Sequence, residues 1–551
     1  MPSPFTDRPA ILRACGTPVS KRSVLACALP LVLCVVACGQ NASRPNAPAA
    51  PAAEAGAPLD GSTPGSGDST THDSLTYASP DAGYGAEGAS GSASDASTSA
   101  QDAEAGASQD AADTSSSSGP DGGVWLPPSG DGGSAISPYL VGVNYWLGSD
   151  LAPLQPLVQQ SGVRLIRIGG AGVDADRATS GTYYKSAIQY IRSVGGEPLV
   201  QVSDNVQAPD AANIVNDLNV VGHLNVKFWS IGNEPDLQNG NHKIVSDVGI
   251  YVRSFAQAMR SVDPSIFIFA PDLAWMDTGY FASLLGGADD ITGKDANGRY
   301  YVDGIAFHTY PFGNNFTRDQ VVGAAAGVRL SVQQLKGMIA AADAKNMRTG
   351  SSALAWALTE FNITYSNPSN NGPADFAVES FLNGQFFAEV FGVGMAEQAY
   401  AVDTWSIHEG SGSGSSTDLG YIGDVGNLIG NYRRSSYYHI QMLTQDFGGH
   451  YAPSTSSLAN VKVLATVDTA HVAVMILNED KTATYPFSLS LTVGASANII
   501  VDAGVTAQTS GSIGPQATQV LVFDTTGVVK KKTDFSLAGY QAGNAPTTMT
   551  F

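Results

Sequence analysis

Apolar runs alternate with stretches of helical spacing along the chain from Ser137 onward. Eight runs have the length and composition of buried strands: residues 139–146, 163–170, 197–204, 227–234, 266–275, 302–310, 357–362 and 401–408. Segments between them, such as 182–194, 250–262 and 328–344, carry apolar residues at helical spacing. Strands that alternate with helices form parallel sheets, so eight such units in about 300 residues predict an α/β fold, a closed (β/α)8 barrel.

An open, doubly wound sheet is the alternative for the same alternation of strands and helices. That fold would place a glycine-rich phosphate-binding loop directly after the first strand. The sequence Gly142-Val-Asn-Tyr-Trp146 is not such a loop. The closed barrel is therefore the better prediction.

The pattern changes again after Gly448 and Gly449. Short runs rich in Val, Ile and Thr follow at hairpin-like spacing, at residues 461–467, 471–478, 487–493, 499–503 and 519–523. They predict an antiparallel β-sandwich, and hence a barrel at 136–448 followed by a sandwich domain and tail at 449–551. Exposed aromatic residues are scarce in this part, so we favour structural support over carbohydrate binding. The lysine run 530–532 and the tail indicate only a solvated surface.

The first 38 residues have the layout of a bacterial export signal. Lys21 and Arg22 precede an apolar run, residues 24–37, that is short for a membrane span. Val35-Val-Ala-Cys38 resembles the lipobox of bacterial lipoproteins, in which the cysteine is lipidated and becomes the mature N-terminus. We expect a secreted lipoprotein of the outer membrane or cell surface that contacts the membrane only through the lipid on Cys38. A plain signal peptide with incidental cysteines is the alternative.

Residues 39–135 consist largely of Ala, Gly, Ser, Asp and Pro. Such a segment buries too little apolar surface to offset the entropy lost on ordering, so a disordered linker is predicted. The whole chain has 551 residues and a formal net charge of -21. This acidic balance argues against nucleic acid or an anionic membrane surface as a partner.

All four cysteines precede residue 39, which excludes disulfides, zinc–thiolate sites and cysteine nucleophiles from the rest of the chain. The sequence has no His-x-x-x-His pair on a predicted helix, no calcium-type aspartate loop and no Gly-x-Ser-x-Gly elbow. We therefore predict neither a metal nor another cofactor, and we expect a monomer.

Two glutamates stand at the C-terminal ends of predicted strands four and seven. The apolar run 226–231 stops at Asn233-Glu234-Pro235, and Glu360 ends the seventh run in Ala357-Leu-Thr-Glu-Phe-Asn362. Catalytic groups of α/β barrels lie at these strand ends, and strands four and seven face each other across the mouth. Two carboxyl groups, one protonating the leaving oxygen and one attacking the anomeric carbon or activating water, can cleave a glycosidic bond.

This arrangement resembles the retaining (β/α)8 glycoside hydrolases of clan A over about residues 137–525. The segments Arg167-Ile-Gly-Gly-Ala-Gly-Val-Asp174 and Ile231-Gly-Asn-Glu-Pro-Asp236, with the C-terminal sandwich, are most similar to glycoside hydrolase family 79, the β-glucuronidase and heparanase family. Families 39, 51, 30 and 5 share most of these motifs. The resemblance implies that Glu234 is the acid/base and Glu360 the nucleophile. It also implies four supporting roles: Asn233 would bond the sugar 2-hydroxyl, Arg167 would keep Glu360 ionised, Tyr310 would orient Glu360, and Trp405 would form the sugar platform.

Elementary chemistry agrees with these roles. A nucleophile must stay charged, so an arginine and a tyrosine hydroxyl are suitable neighbours of Glu360. A general acid must hold its proton, so we expect Glu234 in a drier and less cationic niche than Glu360. An aromatic plane such as that of Trp405 can cover the apolar face of a sugar ring.

Each assignment has a structural alternative. Arg167 could instead form an ion pair with Asp174 or Asp176. His308 and Tyr145 are further candidate substrate contacts, but a buried barrel histidine and a core aromatic are equally consistent with the sequence, as a core role is for Trp405. Candidate polar groups of the mouth, which could equally cap loops, are Asp204, Asn205, Asp272, His408 and Glu409. Asp303 begins strand six at the opposite end of the barrel, so we expect it to be structural.

The predicted function is that of a retaining hydrolase that cleaves β-glycosidic bonds of an oligosaccharide or polysaccharide by double displacement. The family resemblance favours a glucuronic-acid-bearing glycan, although Arg167 is the single basic residue at hand for a uronate and already has a role. A neutral β-glycosidase, xylanase or glucanase is the alternative within the class. A non-catalytic glycan-binding surface lipoprotein is the alternative outside it.

Overall fold

The computed structural model describes residues 135–147, 150–237, 242–366, 368, 370–409, 418–425, 428–491, 499–501, 509–524 and 527–551. The predicted signal peptide with Cys38 lies outside these residues, as does all but the last residue of the predicted linker. No helix within the described part is both long and apolar enough to cross a membrane. The barrel and the C-terminal sheets belong to one compact unit, and the predicted limits of the two domains stay a prediction.

Eight parallel strands close into a barrel in chain order, which confirms the predicted fold class. The strands are β1 (Val141–Tyr145), β2 (Leu165–Ile168), β3 (Glu197–Val202), β4 (Phe228–Ile231), β5 (Phe267–Leu273), β6 (Gly304–Thr309), β7 (Ala355–Phe361) and β8 (Ala401–Thr404). β8 pairs with β1 in parallel, with Gly142 opposite Asp403, and this ladder closes the cylinder.

Nine of the ten α-helices among the described residues surround the barrel strands or directly follow them. They are α1 (Gln155–Ser161), α2 (Ala171–Asp176), α3 (Lys185–Ser193), α4 (Ala208–Val215), α5 (Val245–Val262), α6 (Thr278–Leu284), α7 (Arg318–Asn346), α8 (Phe381–Ala396) and α9 (Ser435–Asp446). The large buried cluster contains the outward strand residues and the inner helix faces. Amphipathic helices wrapped around apolar strands thus form the principal core.

The interior of the barrel has an apolar lower layer and a polar upper layer. Side chains alternate along each strand, so every second residue points inward. The lower inward positions form their own cluster, which includes Leu165, Leu199, Phe228, Phe267 and Tyr400. The next inward positions, two residues further along the strands, carry polar side chains that are all buried: Asn144, Arg167, Gln201, Ser230, Thr359 and Asp403. The sequence therefore places its polar inward residues at the open, C-terminal end.

Two sheets follow the barrel, after the hairpin of β9 (Ile422–Val425) and β10 (Leu428–Arg433) and helix α9. Their strands are β11 (His450–Ala452), β12 (Ser454–Ser456), β13 (Val461–Val467), β14 (His471–Asn478), β15 (Tyr485–Leu491), β16 (Ile499–Val501), β17 (Thr509–Ile513), β18 (Ala517–Asp524), β19 (Val529–Ser536) and β20 (Thr547–Thr550). The six-stranded sheet has the order β11-β13-β14-β18-β19-β20, and the four-stranded sheet has the order β12-β16-β15-β17. A second apolar cluster draws on both sheets, as the predicted sandwich requires.

The C-terminal tail is more ordered than its sequence suggested. The lysine run lies in β19, which pairs with β18 on one side and β20 on the other, and the short helix α10 (Leu537–Gln541) connects β19 to β20. Lys530, Lys531 and Lys532 form ion pairs with Asp524, Asp446 and Asp534 respectively. The sequence analysis missed β19 because one face of this strand carries polar residues and the other carries both polar and apolar ones, so no apolar run marks it.

Candidate active site

The structure brings Glu234 and Glu360 together at the open end of the barrel. Glu234 follows β4 in the loop to α5, and Glu360 is the second-last residue of β7. One oxygen of each carboxyl group and one ring nitrogen of His308 all lie within 4.8 Å of one another. The pair of acidic groups that the sequence singled out therefore faces a common space.

Glu360 is held by two donors that the sequence analysis had named. Nη1 of Arg167 donates to Oε1 of Glu360 at 2.7 Å, and the Tyr310 hydroxyl donates to Oε2 at 2.8 Å. Both oxygens of the carboxylate are thereby occupied, and the plane of the group is set. Asp174 and Asp176 are not the ion-pair partners of Arg167, because Asp174 instead accepts from Gln201 at 2.9 Å and Asp176 from Tyr183 at 2.6 Å.

Arg167 connects five acceptors at the centre of the upper layer. Its side chain has no exposed surface, and its two terminal nitrogens donate at 2.7 to 3.3 Å to Asn144, Glu360, Gln201, Asn233 and Asp272. Burial lowers the pKa of this guanidinium, but Asp272 and Glu360 more than offset that effect and raise it. A planar fork of donors suits such a set, because one rigid group can fix several side chains at once.

Burial also dominates the ionisation of Glu360. It raises the pKa of this carboxyl above its ordinary value, and the nearby Glu234 acts in the same direction. His308, Arg167 and the Tyr310 hydroxyl oppose the rise. Without these three neighbours a carboxyl group so deeply placed would be a neutral acid, so they are what gives Glu360 its access to the charged form.

Glu234 has a different environment, and one expectation about it is wrong. Its side chain is 19% exposed, whereas that of Glu360 is 6% exposed, so Glu234 occupies the wetter position. The reason is its place on a loop beyond β4 rather than within a strand. The other half of the expectation agrees with the geometry, because His308 rather than an arginine contacts Glu234.

The backbone at Glu234 is held in an uncommon conformation. Its φ is +49°, in the left-handed region that side-chain-bearing residues rarely adopt. The Glu234 amide donates to the carbonyl of Asp272 at 2.8 Å, and the amide of Ala274 donates to Oδ1 of Asp236 at 2.8 Å. These two bonds join the loop that follows β4 to the end of β5 and to the residue after it. Such over-determined local strain is characteristic of functional sites, where it fixes the direction of one side chain.

His308 lies between the two glutamates and is fully buried. Its Nδ1 is 2.9 Å from Oε1 of Glu234 and 3.6 Å from Oε2 of Glu360. Burial lowers the pKa of the imidazole, yet the two carboxylates outweigh burial and raise it above the ordinary value. The sequence left open whether His308 was a core residue or a site residue, and the structure places it in the site.

Two more predicted contacts differ in their placement. Asn233 is buried beside Arg167, which donates to its Oδ1 at 2.9 Å and so leaves the amide NH2 as its donor group. Tyr145 does not join the group. Asn144, the preceding residue, points into the barrel, so alternation turns Tyr145 outward, where its ring packs edge-on against Tyr190 of α3 at 5.7 Å.

Trp405 follows β8 at the edge of the site and is half-buried. Its amide donates to the carbonyl of Phe361, the neighbour of Glu360, at 2.8 Å. Its indole N–H donates to Oε1 of Glu409 at 2.9 Å. These two bonds fix Trp405 to the end of β7 and to the loop after β8. Its role as a sugar platform stays a prediction.

The remaining polar candidates have mixed positions. Asp204 forms an ion pair with Lys243 at 3.1 Å, and Asn205 accepts from the same lysine at 3.3 Å. His408 lies 2.9 Å from the carbonyl of Ile422, away from the glutamates. Asp303 bonds Arg260 and the amide of Ile268 at the closed end of the barrel, in agreement with a structural role.

Four polar residues of the site were not singled out from the sequence: Asn144, Gln201, Asp236 and Asp403. Three of them are isolated polar residues inside apolar strands, at the same level as Arg167, and that regularity was the available signal. Burial raises the pKa of Asp403 well above its ordinary value, and that of Asp236 to about 6. Burial therefore favours the neutral form of Asp403 in the upper layer, beside the charged Arg167.

Glu234, His308 and Glu360 are also the one group among the described residues whose donors could together hold a metal ion. The hydrogen bond between His308 and Glu234 and the ion pair of Glu360 with Arg167 give each of these donors a partner without an ion. The absence of a metal requirement stays a prediction.

Solved structures of similar fold exist, although sequence comparisons find no match. No protein-family model matches the chain, and no curated protein matches it by sequence. A family 51 α-L-arabinofuranosidase from Bifidobacterium longum superposes with a TM-score of 0.54 at 12% identity, covering 71% of this chain and 96% of that one. The family 51 α-L-arabinofuranosidase of Thermotoga petrophila superposes with a TM-score of 0.51 at 14% identity, covering 71% of this chain and 96% of that one. The family 51 arabinofuranosidase of Xanthomonas axonopodis pv. citri superposes with a TM-score of 0.50 at 13% identity, covering 76% of this chain and 93% of that one.

These structural neighbours are glycoside hydrolases, and the likeness establishes the fold that this chain shares with them. At such identities it does not establish the reaction. The finer resemblance to family 79 stays a prediction.

Proposed function

We propose that this protein is a retaining glycoside hydrolase. The observation that carries the proposal is the short separation of the two carboxyl groups. One oxygen of Glu234, one oxygen of Glu360 and one ring nitrogen of His308 lie within 4.8 Å of one another. Retaining enzymes hold their carboxyl groups about 5–5.5 Å apart, whereas inverting enzymes keep about 6.5–9.5 Å to admit a water molecule. The asymmetry of the pair supports it further, because Glu360 has the cationic and phenolic donors and Glu234 has the solvent access.

In the first step Glu360 attacks the anomeric carbon and forms a glycosyl ester. The bond between that carbon and the leaving oxygen breaks, and Glu234 donates its proton to this oxygen. In the second step Glu234 removes a proton from water, the water oxygen attacks the anomeric carbon, and the ester bond to Glu360 breaks. Arg167 and Tyr310 stabilise the Glu360 carboxylate before attack and after release.

The charges around the site favour a neutral sugar at the reacting position. A uronate, which the family 79 resemblance implied, would bring a carboxylate that needs a cationic or amide partner. Arg167 is already bonded to two carboxylates, and Lys243 is bonded to Asp204 and Asn205. A neutral pentose or hexose needs no such partner. The proteins of the same fold named above are arabinofuranosidases, so a furanoside belongs among the substrates to test alongside β-linked ones.

The test is a panel of 4-nitrophenyl glycosides with the full-length protein: β-D-glucuronide, β-D-xyloside, β-D-glucoside and α-L-arabinofuranoside, with xylan and β-glucan as polymers. The product anomer is read by proton NMR before mutarotation. Retention is expected, and inversion would contradict the mechanism.

Glu360→Ala is expected to lower turnover by about 10⁴-fold or more, because the variant has no nucleophile. Added azide should restore part of the turnover and give a glycosyl azide of inverted configuration. Asp319→Asn, which alters an exposed carboxylate at the start of α7, is the matched control and should behave as wild type. A glycan-binding protein without activity would bind sugar in every variant and release no product in any.

We also propose that the protein is exported and anchored through a lipid on Cys38. The support is the sequence 35–38 and the preceding apolar run. Labelling of cells with an alkyne fatty acid should mark the wild-type protein and not Cys38→Ser, and the variant should leave the membrane fraction. Label on the variant would refute the anchor.

A further inference from the structure

The carboxylate of Glu409 makes two hydrogen bonds, one at each oxygen. Oε1 accepts the indole N–H of Trp405 at 2.9 Å, and Oε2 accepts the backbone N–H of Leu419. One side chain therefore connects an aromatic ring at the end of β8 to the chain that returns towards β9.

Asn362 makes a parallel connection between the same two residues. Its amide nitrogen donates to the carbonyl of Trp405 at 2.6 Å and to the carbonyl of Leu419 at 2.9 Å. Trp405 and Leu419 are thus joined twice, once through the indole and once through the backbone. Because Asn362 is two residues from Glu360, this clamp belongs to the same strand end as the proposed nucleophile.

The six-membered part of the indole ring lies close to Gly170, which follows β2 and immediately precedes α2. This glycine has a φ of +97°, and a Cβ placed on it would lie 2.5 Å from Cη2 and 2.8 Å from Cζ3 of Trp405. No other residue fits both the left-handed backbone and the space. Gly170 therefore limits the space beside the six-membered part of the ring, while Glu409 bonds the nitrogen of its five-membered part.

We propose that Glu409 is the positioning residue of the sugar platform, holding the Trp405 ring in the plane in which it meets the sugar beside Glu360. The inference rests on the proposed function for its substrate. It goes beyond it in assigning the orientation of the platform to a carboxylate that touches no substrate. The indole N–H, being bonded to Glu409, is not a donor to the sugar, so the platform acts through the face of its ring.

The charge state of Glu409 determines how well this clamp holds. Burial raises the pKa of Glu409 to about 7, and the bonds from Leu419 and Trp405 hold it from rising further. The ionisable groups that face it are Asp418, Arg434 and Tyr310. A carboxylate can serve two N–H donors, whereas the protonated acid has a hydroxyl that must itself find an acceptor. The clamp is therefore complete above about pH 7 and weakened below it.

The first measurement is the pH dependence of tryptophan emission in the full-length protein, which contains six tryptophans. Subtracting the spectra of Trp405→Phe isolates the signal of this ring. We expect the difference signal to titrate near pH 7 in wild type and to lose that titration in Glu409→Gln, whose amide cannot ionise. A titration that persists in Glu409→Gln would overturn the proposal.

The second measurement is a double-mutant cycle on the fastest glycoside of the panel at pH 8. Glu409→Gln should raise KM by about threefold to tenfold and by a larger factor than it lowers kcat, the scale of one aromatic contact. In the Trp405→Phe background, which has no indole N–H, the same change should have little further effect. Additive effects would overturn the proposal.

Glu397→Gln is the matched control, because Glu397 is also hydrogen-bonded but lies on the outer layer with Arg329 and Lys336. It should leave both the emission titration and KM as in wild type. If no glycoside in the panel is cleaved, the proposed hydrolase activity fails, while the emission titration still decides whether Glu409 governs Trp405.

Discussion

The guanidinium of Arg167 lies 2.7 Å from Oε1 of Glu360, and neither group has more than a trace of exposed surface. Each depends on the other for its place in the barrel. The arginine would be an unpaired buried cation without its acidic partners, and the glutamate would stay protonated without a cation. This pair gives the upper layer both its order and its charge, so it is the first place to test.

Arg167→Met should lower the free energy of unfolding by about 3–5 kcal/mol, because Asp272 and Glu360 would lose a buried counter-charge. The matched control is Arg329→Met, which removes an ion pair with Glu397 from a side chain that is 50% exposed. That change should cost under about 1 kcal/mol. Urea unfolding at neutral pH measures both. Equal losses in the two variants would show that burial of the Arg167 pair has no energetic consequence.

Arg167→Lys keeps the charge but not the planar fork. A lysine ammonium cannot hold Asn233, Gln201 and Glu360 together from one end, so the alignment of the site should suffer more than its stability. We expect kcat to fall by about 10²-fold or more, as misplacement of a reacting group by about an ångström does. The variant should unfold closer to wild type than Arg167→Met does. A kcat within twofold of wild type would show that charge alone is sufficient.

Tyr310→Phe should move the acidic limb of the pH profile to higher pH. The Tyr310 hydroxyl donates to Oε2 of Glu360 at 2.8 Å and helps to hold down the pKa of this carboxyl. Loss of the donor raises that pKa further, so a higher pH is needed to form the nucleophile. The profile of kcat/KM measures the limb. Tyr183→Phe, which removes an exposed bond to Asp176, is the control and should leave the limb in place.

The eight strands and the two glutamates could be predicted because their signals are local. A buried strand is an apolar run, and a catalytic carboxyl at its end interrupts that run, as Glu234 and Glu360 do. Which of two adjacent residues faces the interior is not local. Asn144 and Tyr145 are both plausible in a mouth, and the register of β1 against β2 and β8 decided for Asn144.

Contacts between residues of different loops could not be predicted from the sequence for a related reason. Trp405 and Glu409 were each candidates, but their bond depends on the path by which the chain returns to Leu419. The solvent access of Glu234 likewise depends on a loop conformation with a φ of +49° rather than on the type of its neighbours. The periodicity of apolar residues predicts helices and strands, but it carries no information about the paths of the loops between them.

A pair of buried carboxyl groups should make the protein less stable at alkaline pH. Glu389 of α8 lies against Glu479, just after β14, and burial followed by this acidic neighbour raises the pKa of Glu389 well above its ordinary value of 4.5. A raised folded-state pKa contributes stability that is complete below the ordinary value and is lost as pH rises towards the folded value. The free energy of unfolding should therefore fall by up to about 1.4 kcal/mol for each pH unit over that window.

Glu389→Gln should remove this slope, because the amide stays neutral at every pH. Glu397→Gln is the control of opposite sign, since Lys336, Gln333 and Arg329 lower the pKa of Glu397 despite partial burial. The lowered pKa of Glu397 stabilises the fold above the ordinary pKa of 4.5, so Glu397→Gln should lose that stability at neutral pH and keep the alkaline slope of wild type. Urea unfolding from pH 5 to 9 distinguishes the two variants. An alkaline slope that survives in Glu389→Gln would assign the loss to other groups.

Gly142 is required where β1 passes the carboxyl group of β8. A Cβ on Gly142 would overlap the carboxyl of Asp403 and lie 3.0 Å from the backbone oxygen of Leu165. Asp403 is fully buried, and neither of its oxygens has a hydrogen-bond partner among the described atoms, so nothing opens to receive a displaced side chain. Gly142→Ala should therefore lower the free energy of unfolding by about 1–3 kcal/mol, the usual cost of overpacking.

The companion variants separate this contact from a general intolerance of alanine. Gly327→Ala adds the same methyl group to the exposed side of α7, where nothing lies within 4 Å, and should raise stability by about 1 kcal/mol. Adding Asp403→Ala to Gly142→Ala should recover part of the loss, since the overlapping group is gone. Strictly additive losses in that double variant would mean that the strain lies against the backbone of Leu165 and not against Asp403, because residues in direct contact show coupling of about 0.5–3 kcal/mol.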